Sequence, residues 1–166
     1  MIYLIYIVFA LILIFGSVIL FGAPFLPTLK KQIDPIFELL DLNEGQTLIE
    51  LGSGDGRILY EAGRRGLYAI GFELNPLLVL YSIIKTWRYR GKVKIVWGNY
   101  WQQKWPKTDG IFVFLLDKYM QKLNNKIIQE YKQPVKLVSF AFKIPNRDID
   151  DQRSGIFLYR YNKQLK

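Results

Sequence analysis

A short apolar strand that runs into three closely spaced glycines leaves a chain of this length few folds to choose from. The run Thr47 to Leu51 reads as that strand, and Glu50-Leu51-Gly52-Ser53-Gly54-Asp55-Gly56-Arg57 carries it into a helix expected from Asp55 to about Arg64. Glycine lets the backbone take positive φ and lets a ligand come close. The free N–H groups at the start of the following helix would face that ligand. Upstream, Asp34-Pro35 reads as the start of a helix to about Leu42, burying Ile36, Phe37, Leu39 and Leu40, and Asn43-Glu44-Gly45 as a turn. Downstream the pattern repeats. Tyr68–Glu73, Val93–Trp97, Gly110–Leu116, Val135–Phe142 and Gly155–Tyr161 read as strands. Asn75-Pro76 starts a helix to about Tyr89, with Asn as the cap, and Tyr119–Tyr131 is the next helix. Strands alternating with helices predict an α/β fold, a parallel sheet with helices on both faces.

The N-terminal region belongs to a different regime. No charged residue precedes Lys30, so all 23 basic and 14 acidic side chains lie in the remainder. Ile2 to Gly22 would span roughly 30 Å as a helix, the thickness of a bilayer core. A secretory signal would need a basic n-region and a shorter apolar run. A buried core helix rarely stays apolar on every face. The expectation is therefore an uncleaved transmembrane anchor over 1–23, with a connector and helix over 24–44 and a ligand-binding domain over 45–166. Lys30 and Lys31 follow at once, and the positive-inside rule puts the large domain on the cytoplasmic side of a single-pass protein. No Arg/Ser-rich leader supports organelle import, which favours a prokaryotic inner membrane. With no Cys and no His, a disulfide framework, a Cys- or His-ligated zinc site, a thiolate nucleophile and an imidazole base are excluded. The net charge of +9 leaves a nucleic-acid or anionic-membrane partner open. Aromatic residues do not interleave with the basic ones as they do in nucleic-acid modules, so no nucleic acid is expected.

The glycine spacing itself selects among ligands. From Gly52 the run is G-x-G-x-G, whereas a dinucleotide fingerprint is G-x-G-x-x-G; no P-loop pattern occurs. Glu73 ends the second strand, where a carboxylate would accept both ribose hydroxyls of a nucleoside. Glu50, at the end of the first strand, would lie nearer the other end of the ligand. Negative charge there suits a cationic amino group and not a pyrophosphate, which argues for S-adenosylmethionine.

ELGSGDGR and GFELNP resemble motifs of the seven-strand S-adenosylmethionine-dependent methyltransferases, whose fold is a Rossmann-like sheet. The order of apolar helix, PFLPT, LGSGDGRI, GFELNPLLV and FLL is similar to one group among them. These are the membrane-anchored lysine methyltransferases that in mitochondria modify the adenine nucleotide translocase and the c-ring protein of ATP synthase. The resemblance runs from the anchor to about Leu123. It implies that Gly52, Gly54 and Gly56 wrap the methionine end of the cofactor while Glu50 holds its amino group. It places Glu73 on the ribose, Leu74 beside the adenine and Asn99 at the adenine, where relatives often have Asp; Ser53, Asp55 and Tyr100 complete the cofactor set. Pro27 and Thr28 would close over the cofactor or steer the substrate. Leu116 would border the reaction centre. Asp117 stands where relatives have Pro or a small residue. Pro35 would interrupt a helix that relatives have, and the final strands would be abbreviated.

The implied reaction is methyl transfer to a lysine of a membrane-associated protein, with the lipid bilayer as a second partner. Such a reaction needs a neutral amine in line with the S–CH₃ bond, so positioning does most of the work and no His is required. Asp117 would orient the amine or take its proton; its alternative role is a helix N-cap. Tyr119 and Trp101 would flank the amine, or simply pack in the core. Two other functions stay open: a small-molecule or lipid-headgroup methyltransferase with the same cofactor, and an inactive membrane adaptor.

Overall fold

The computed structural model describes residues 1–6, 9 and 26–161. Among the described residues no helix is long and apolar enough to cross a membrane. The anchor expected over 1–23 falls largely outside them; of its residues, 2–6 and 9 are described and are helical and exposed.

Chain order runs α1 (Lys30–Leu40), β1 (Thr47–Leu51), α2 (Arg57–Arg64), β2 (Tyr68–Glu73), α3 (Pro76–Thr86), β3 (Val93–Trp97) and β4 (Gly110–Val113). It continues with α4 (Met120–Glu130), β5 (Val135–Phe140), β6 (Asp151–Arg153) and β7 (Ile156–Tyr161). The strands form one seven-stranded sheet in the order β3-β2-β1-β4-β5-β7-β6. Strands β1 to β5 are parallel, as expected from their alternation with helices. β7 is antiparallel to β5 and to β6, which corrects the all-parallel expectation. The reason is local. No helix lies between β5 and β6 to make a crossover, and Ser154-Gly155, with φ +47° and +77°, turns the chain straight back as a two-residue hairpin. β6, three residues long, carries no apolar alternation and was not legible as a strand.

Alternation along the strands builds a core on each face. Ile49, Ile111, Val113 and Leu137 pack with Met120, Leu123 and Ile127 of α4 on one side. Leu48, Phe112 and Val138 pack with α1 and α2 on the other. Helix α1 departs from expectation: it starts at Lys30 and continues through Pro35, which was expected to open it. Proline there removes one ladder hydrogen bond. Burial of Gln32, Ile36, Phe37, Leu39 and Leu40 offsets that loss, and Asp41 ends the helix in a left-handed conformation. α2 begins at Arg57 and not at Asp55, because Gly54 and Gly56 are left-handed (φ +53° and +71°). α3 starts as predicted: the Asn75 Oδ1 accepts from the N–H of Leu77 (2.9 Å) and of Leu78 (3.4 Å), with Pro76 next.

Candidate cofactor and acceptor site

The C-terminal ends of the parallel strands open into a cavity of about 530 Å³. Such crevices beyond strand ends are where ligands bind in open α/β sheets. Its walls come from the residues after β1 (Glu50 to Asp55, with Arg57), after β2 (Glu73 to Asn75), after β3 (Gly98 to Trp101), after β4 (Phe114 to Leu116, with Tyr119 and Lys122) and after β5 (Ala141, Phe142). Leu26, Pro27 and Thr28 form part of the rim.

The turn after β1 is held by its own N–H groups. Those of Gly52 and Ser53 both donate to the Phe72 carbonyl (2.9 Å each), and that of Gly56 donates to the Ser53 carbonyl (2.9 Å). The Gly54 N–H donates to Glu73 Oε2 (2.8 Å). The expected free donors are thus spent inside the fold, and little of the turn is left to cradle a phosphate. Glu73 also accepts the Asn75 N–H at Oε1 (2.8 Å). Two backbone donors lock its orientation, and each oxygen keeps a lone pair for a further hydroxyl.

Glu50 is 5% exposed, and its Oε2 has no hydrogen-bond partner. Burial, helped by the negative charges of Asp55 and Glu73, pushes its carboxyl well above the usual range. A buried carboxyl with an orphaned oxygen is costly unless a donor arrives, and a cationic amine is the donor best suited to it. Ser53 Oγ is buried without a partner on the same turn.

Asp55 lines the cavity, but its carboxylate is already engaged. It accepts from Arg57 Nε (2.9 Å) and Nη2 (3.0 Å) and from Lys85 Nζ (2.8 Å). Burial acts to raise its pKa, yet these cationic donors hold it at about 2. Arg57 in turn donates through Nη1 to the Thr28 carbonyl (2.6 Å), pinning the segment before α1 to the cavity rim. Arg57 belonged to the motif read from the sequence, but its side chain's task depends on a contact 29 residues away.

Of the residues expected at the site, Glu50, Gly52, Ser53, Gly54, Asp55, Glu73, Leu74, Asn99, Tyr100, Trp101, Leu116, Tyr119, Pro27 and Thr28 all line this one cavity. Gly56 does not. A Cβ on it would lie 2.1 Å from Ser82 Oγ, so it serves the contact between α2 and α3. Asp117 is exposed and outside the lining, and no side-chain cap hydrogen bond forms at this helix start, so neither expected role is seated there. Asn99 lines the wall with its Oδ1 accepting from the Trp101 N–H (3.0 Å). The Tyr100 and Trp101 rings stand 4.9 Å apart, and Trp101 and Tyr119 6.3 Å. Lys122, which the sequence did not single out, holds its ammonium 4.4 Å from the centre of the Trp101 ring. This wall therefore accepts a cationic lysine head on an aromatic face. Burial, with Tyr119 and Glu73 nearby, raises the Tyr100 phenol well above its ordinary value, so it stays neutral.

Five parallel strands, a reversed seventh strand, a glycine turn after β1 and an acid after β2 define a Rossmann-like methyltransferase fold. Among solved structures, an RNA methyltransferase from Salinibacter ruber in complex with S-adenosyl-L-homocysteine superposes with a TM-score of 0.76 at 26% identity. That match covers 85% of this chain and 95% of the other. A methyltransferase from Thiobacillus denitrificans shares the fold at 19% identity and a TM-score of 0.58, over 74% of this chain and 53% of the other. Residues 50–151 match the family described as ANTKMT methyltransferase domain, and the chain belongs to that family. The human lysine N-methyltransferase named for the c-ring protein of ATP synthase is 32% identical over 74% of this chain and 53% of its own length. A protein-lysine N-methyltransferase of Saccharolobus islandicus is 27% identical over 73% of this chain and 78% of its own. The chain spans about half the length of the curated relatives it matches first.

Proposed function

We propose that this chain is an S-adenosylmethionine-dependent protein-lysine N-methyltransferase whose acceptor is a lysine of a membrane protein. The observation that carries the reading is the pair of acids at one cavity: Glu50, buried with an orphaned oxygen, and Glu73, fixed by two backbone donors. The named substrates of relatives, the c-ring protein of ATP synthase and the adenine nucleotide translocase, support a lysine on a membrane protein. S-adenosylmethionine supplies an electrophilic methyl group when bound. Glu50 holds the ammonium end, Glu73 accepts the ribose hydroxyls, and Leu74 and Asn99 border the base. Leu26 to Thr28, tied down by Arg57, narrow the entrance and limit water. Trp101 and Tyr119 flank the incoming amine. Their low-dielectric wall and the cofactor's positive charge lower the lysine pKa, so that the neutral nucleophile is reached without a histidine. The exposed position of Asp117 leaves proton removal to water. The reading also takes residues 1–23 as a tether of a prokaryotic-type, single-pass protein with residues 45–166 on the cytoplasmic side, supported by the charge-free run and Lys30-Lys31.

Calorimetry with S-adenosylhomocysteine tests the pocket. Glu73→Gln, checked for unchanged folding by its melting curve, should lose roughly 10- to 100-fold in affinity, as expected for a charge-assisted hydrogen bond. Unchanged affinity removes Glu73 from the ribose. Membranes incubated with methyl-labelled cofactor test the acceptor: label in protein, mapped to lysine by mass spectrometry, is the expected result. Label in lipid extract points to a headgroup acceptor, and absence of both label and binding to an inactive adaptor. RNA is a second reading with an observation behind it, the similarity to an RNA methyltransferase along 95% of that chain. Label that disappears from the macromolecular fraction on ribonuclease treatment would establish it.

A further inference from the structure

Helix α3 is built inside out. Its only buried residues are Ser82 and Thr86, which meet the domain, while its outer surface is apolar. Leu80, Tyr81 and Ile84 are 55–66% exposed, and Trp87 follows at 59%. Trp97, at the end of the edge strand β3, adds a ring 65% exposed, its Nε1 donating to the Leu74 carbonyl (3.0 Å). A helix of a monomeric soluble domain shows the opposite arrangement, and large contiguous apolar patches mark contact sites. A second observation is electrostatic. Between Glu73 and Asp109 there is no acidic residue, while Lys85, Arg88, Arg90, Lys92, Lys94, Lys104 and Lys107 all fall there. Some of these cations are taken: Lys85 binds Asp55, and Lys92 reaches Glu44 (3.2 Å). Arg90 stacks 5.1 Å from the centre of the Trp87 ring, and Arg88 and Lys94 are exposed.

We propose that the outer face of α3, with Trp87 and Trp97, is the surface by which the domain lies on an anionic bilayer. Apolar side chains flanked by Trp, Tyr and Arg/Lys suit the headgroup boundary, where rings partition and cations meet lipid phosphates. Charge complementarity favours an anionic lipid surface over a second copy of this basic chain, which would be repelled. The described residues 2–6 and 9 are themselves exposed and do not cover α3. The first turn of α3, through Asn75 and Leu78, also lines the cavity. Docking by α3 thus sets the mouth of the site near the level of the headgroups, within reach of lysines at the membrane surface. The proposal deepens the methyltransferase reading, but its test does not depend on turnover.

The chain has no cysteine, so one introduced thiol can be labelled selectively. The full chain with Ile84→Cys carries an environment-sensitive nitrobenzoxadiazole, and Gln129→Cys, on exposed α4 surface, is the control. Each is placed with phosphatidylcholine/phosphatidylglycerol vesicles with and without spin-labelled lipid. The Ile84 label should lose about twofold or more of its fluorescence to the lipid-borne quencher, with less loss on pure phosphatidylcholine and none at position 129. A label that stays aqueous overturns the proposal. So does one that turns apolar without being quenched, since protein then covers the face, and so does one that responds to added RNA and not to vesicles. Calorimetry with S-adenosylhomocysteine on the same labelled protein separates the two readings: intact binding with an unquenched label sinks the docking alone.

Discussion

Glu50 carries the clearest consequence at the scale of one residue. Its carboxyl is raised chiefly by burial, so the free protein holds a proton there above the usual carboxylate range. A group raised in the folded state lowers stability as pH climbs from its ordinary value of 4.5 towards the folded one. A cationic ammonium set against Oε2 reverses the shift. Cofactor binding should therefore release a fraction of a proton at pH values between the bound and free pKa. Calorimetry in buffers of different ionisation enthalpy reads this directly; Glu50→Gln should abolish it, and a buffer-independent heat in the parent protein would contradict the account. Asp55 works in the opposite sense. Depressed to about 2 by Arg57 and Lys85, it contributes stability above its ordinary 3.8 that is lost as pH falls towards 2. Asp55→Asn should cost about 1 kcal/mol near neutral pH, a figure kept small by solvent screening, and the difference should fade in acid denaturation curves. The glycines of the turn separate in the same way. Gly52 and Gly56 both need positive φ, but only at Gly56 would a Cβ strike Ser82. Gly56→Ala should lower the unfolding free energy by about 1–3 kcal/mol more than Gly52→Ala, measured by urea unfolding.

At the scale of elements, α1 invites a direct test. Pro35 sits in the middle of an 11-residue helix and withholds one N–H. Pro35→Ala restores that donor at the loss of some half-buried ring contact, so a gain of about 1–2 kcal/mol is expected in thermal or urea unfolding. A destabilised variant would mean that the ring itself braces the domain. The helices and parallel strands were readable because alternation and caps are local signals. Asn75-Pro76 is the best example: the cap, the proline and the strand before it sit within a few residues. α1 was misread because the proline signal was local, whereas the burial that outweighs it comes from β5 and β7 across the sheet. β6 and the reversal of β7 were missed for the same reason, since pairing partners lie far along the chain. Asp117 shows the limit for site residues. Its position beside Leu116 suggested the reaction centre, yet the turn after β4 sends one side chain to the wall and the next to solvent.

For the molecule as a whole, the cavity joins loops from five strands and the segment before α1, so a ligand that fills it should brace the whole domain. Saturating S-adenosylhomocysteine at about 100 times its Kd should add about 2.7 kcal/mol to the unfolding free energy, visible as a raised melting temperature, whereas NAD and ATP should not. Stabilisation by NAD equal to that by the homocysteine derivative would refute the reading of the glycine spacing. The sequence alone determined what depends on neighbours: the strand–glycine–helix unit, the acid at the end of β2, the absence of His and Cys chemistry, and an apolar N-terminal run. Tertiary structure decided what depends on closure of the sheet. It turned the glycine N–H groups inward onto Phe72 and Glu73, buried Glu50 without a partner for Oε2, moved Gly56 from the cavity to a helix contact and faced α3 outward. The physical reason is that conformational preference acts over a few bonds, whereas desolvation and the availability of a hydrogen-bond partner exist only once distant segments have come together.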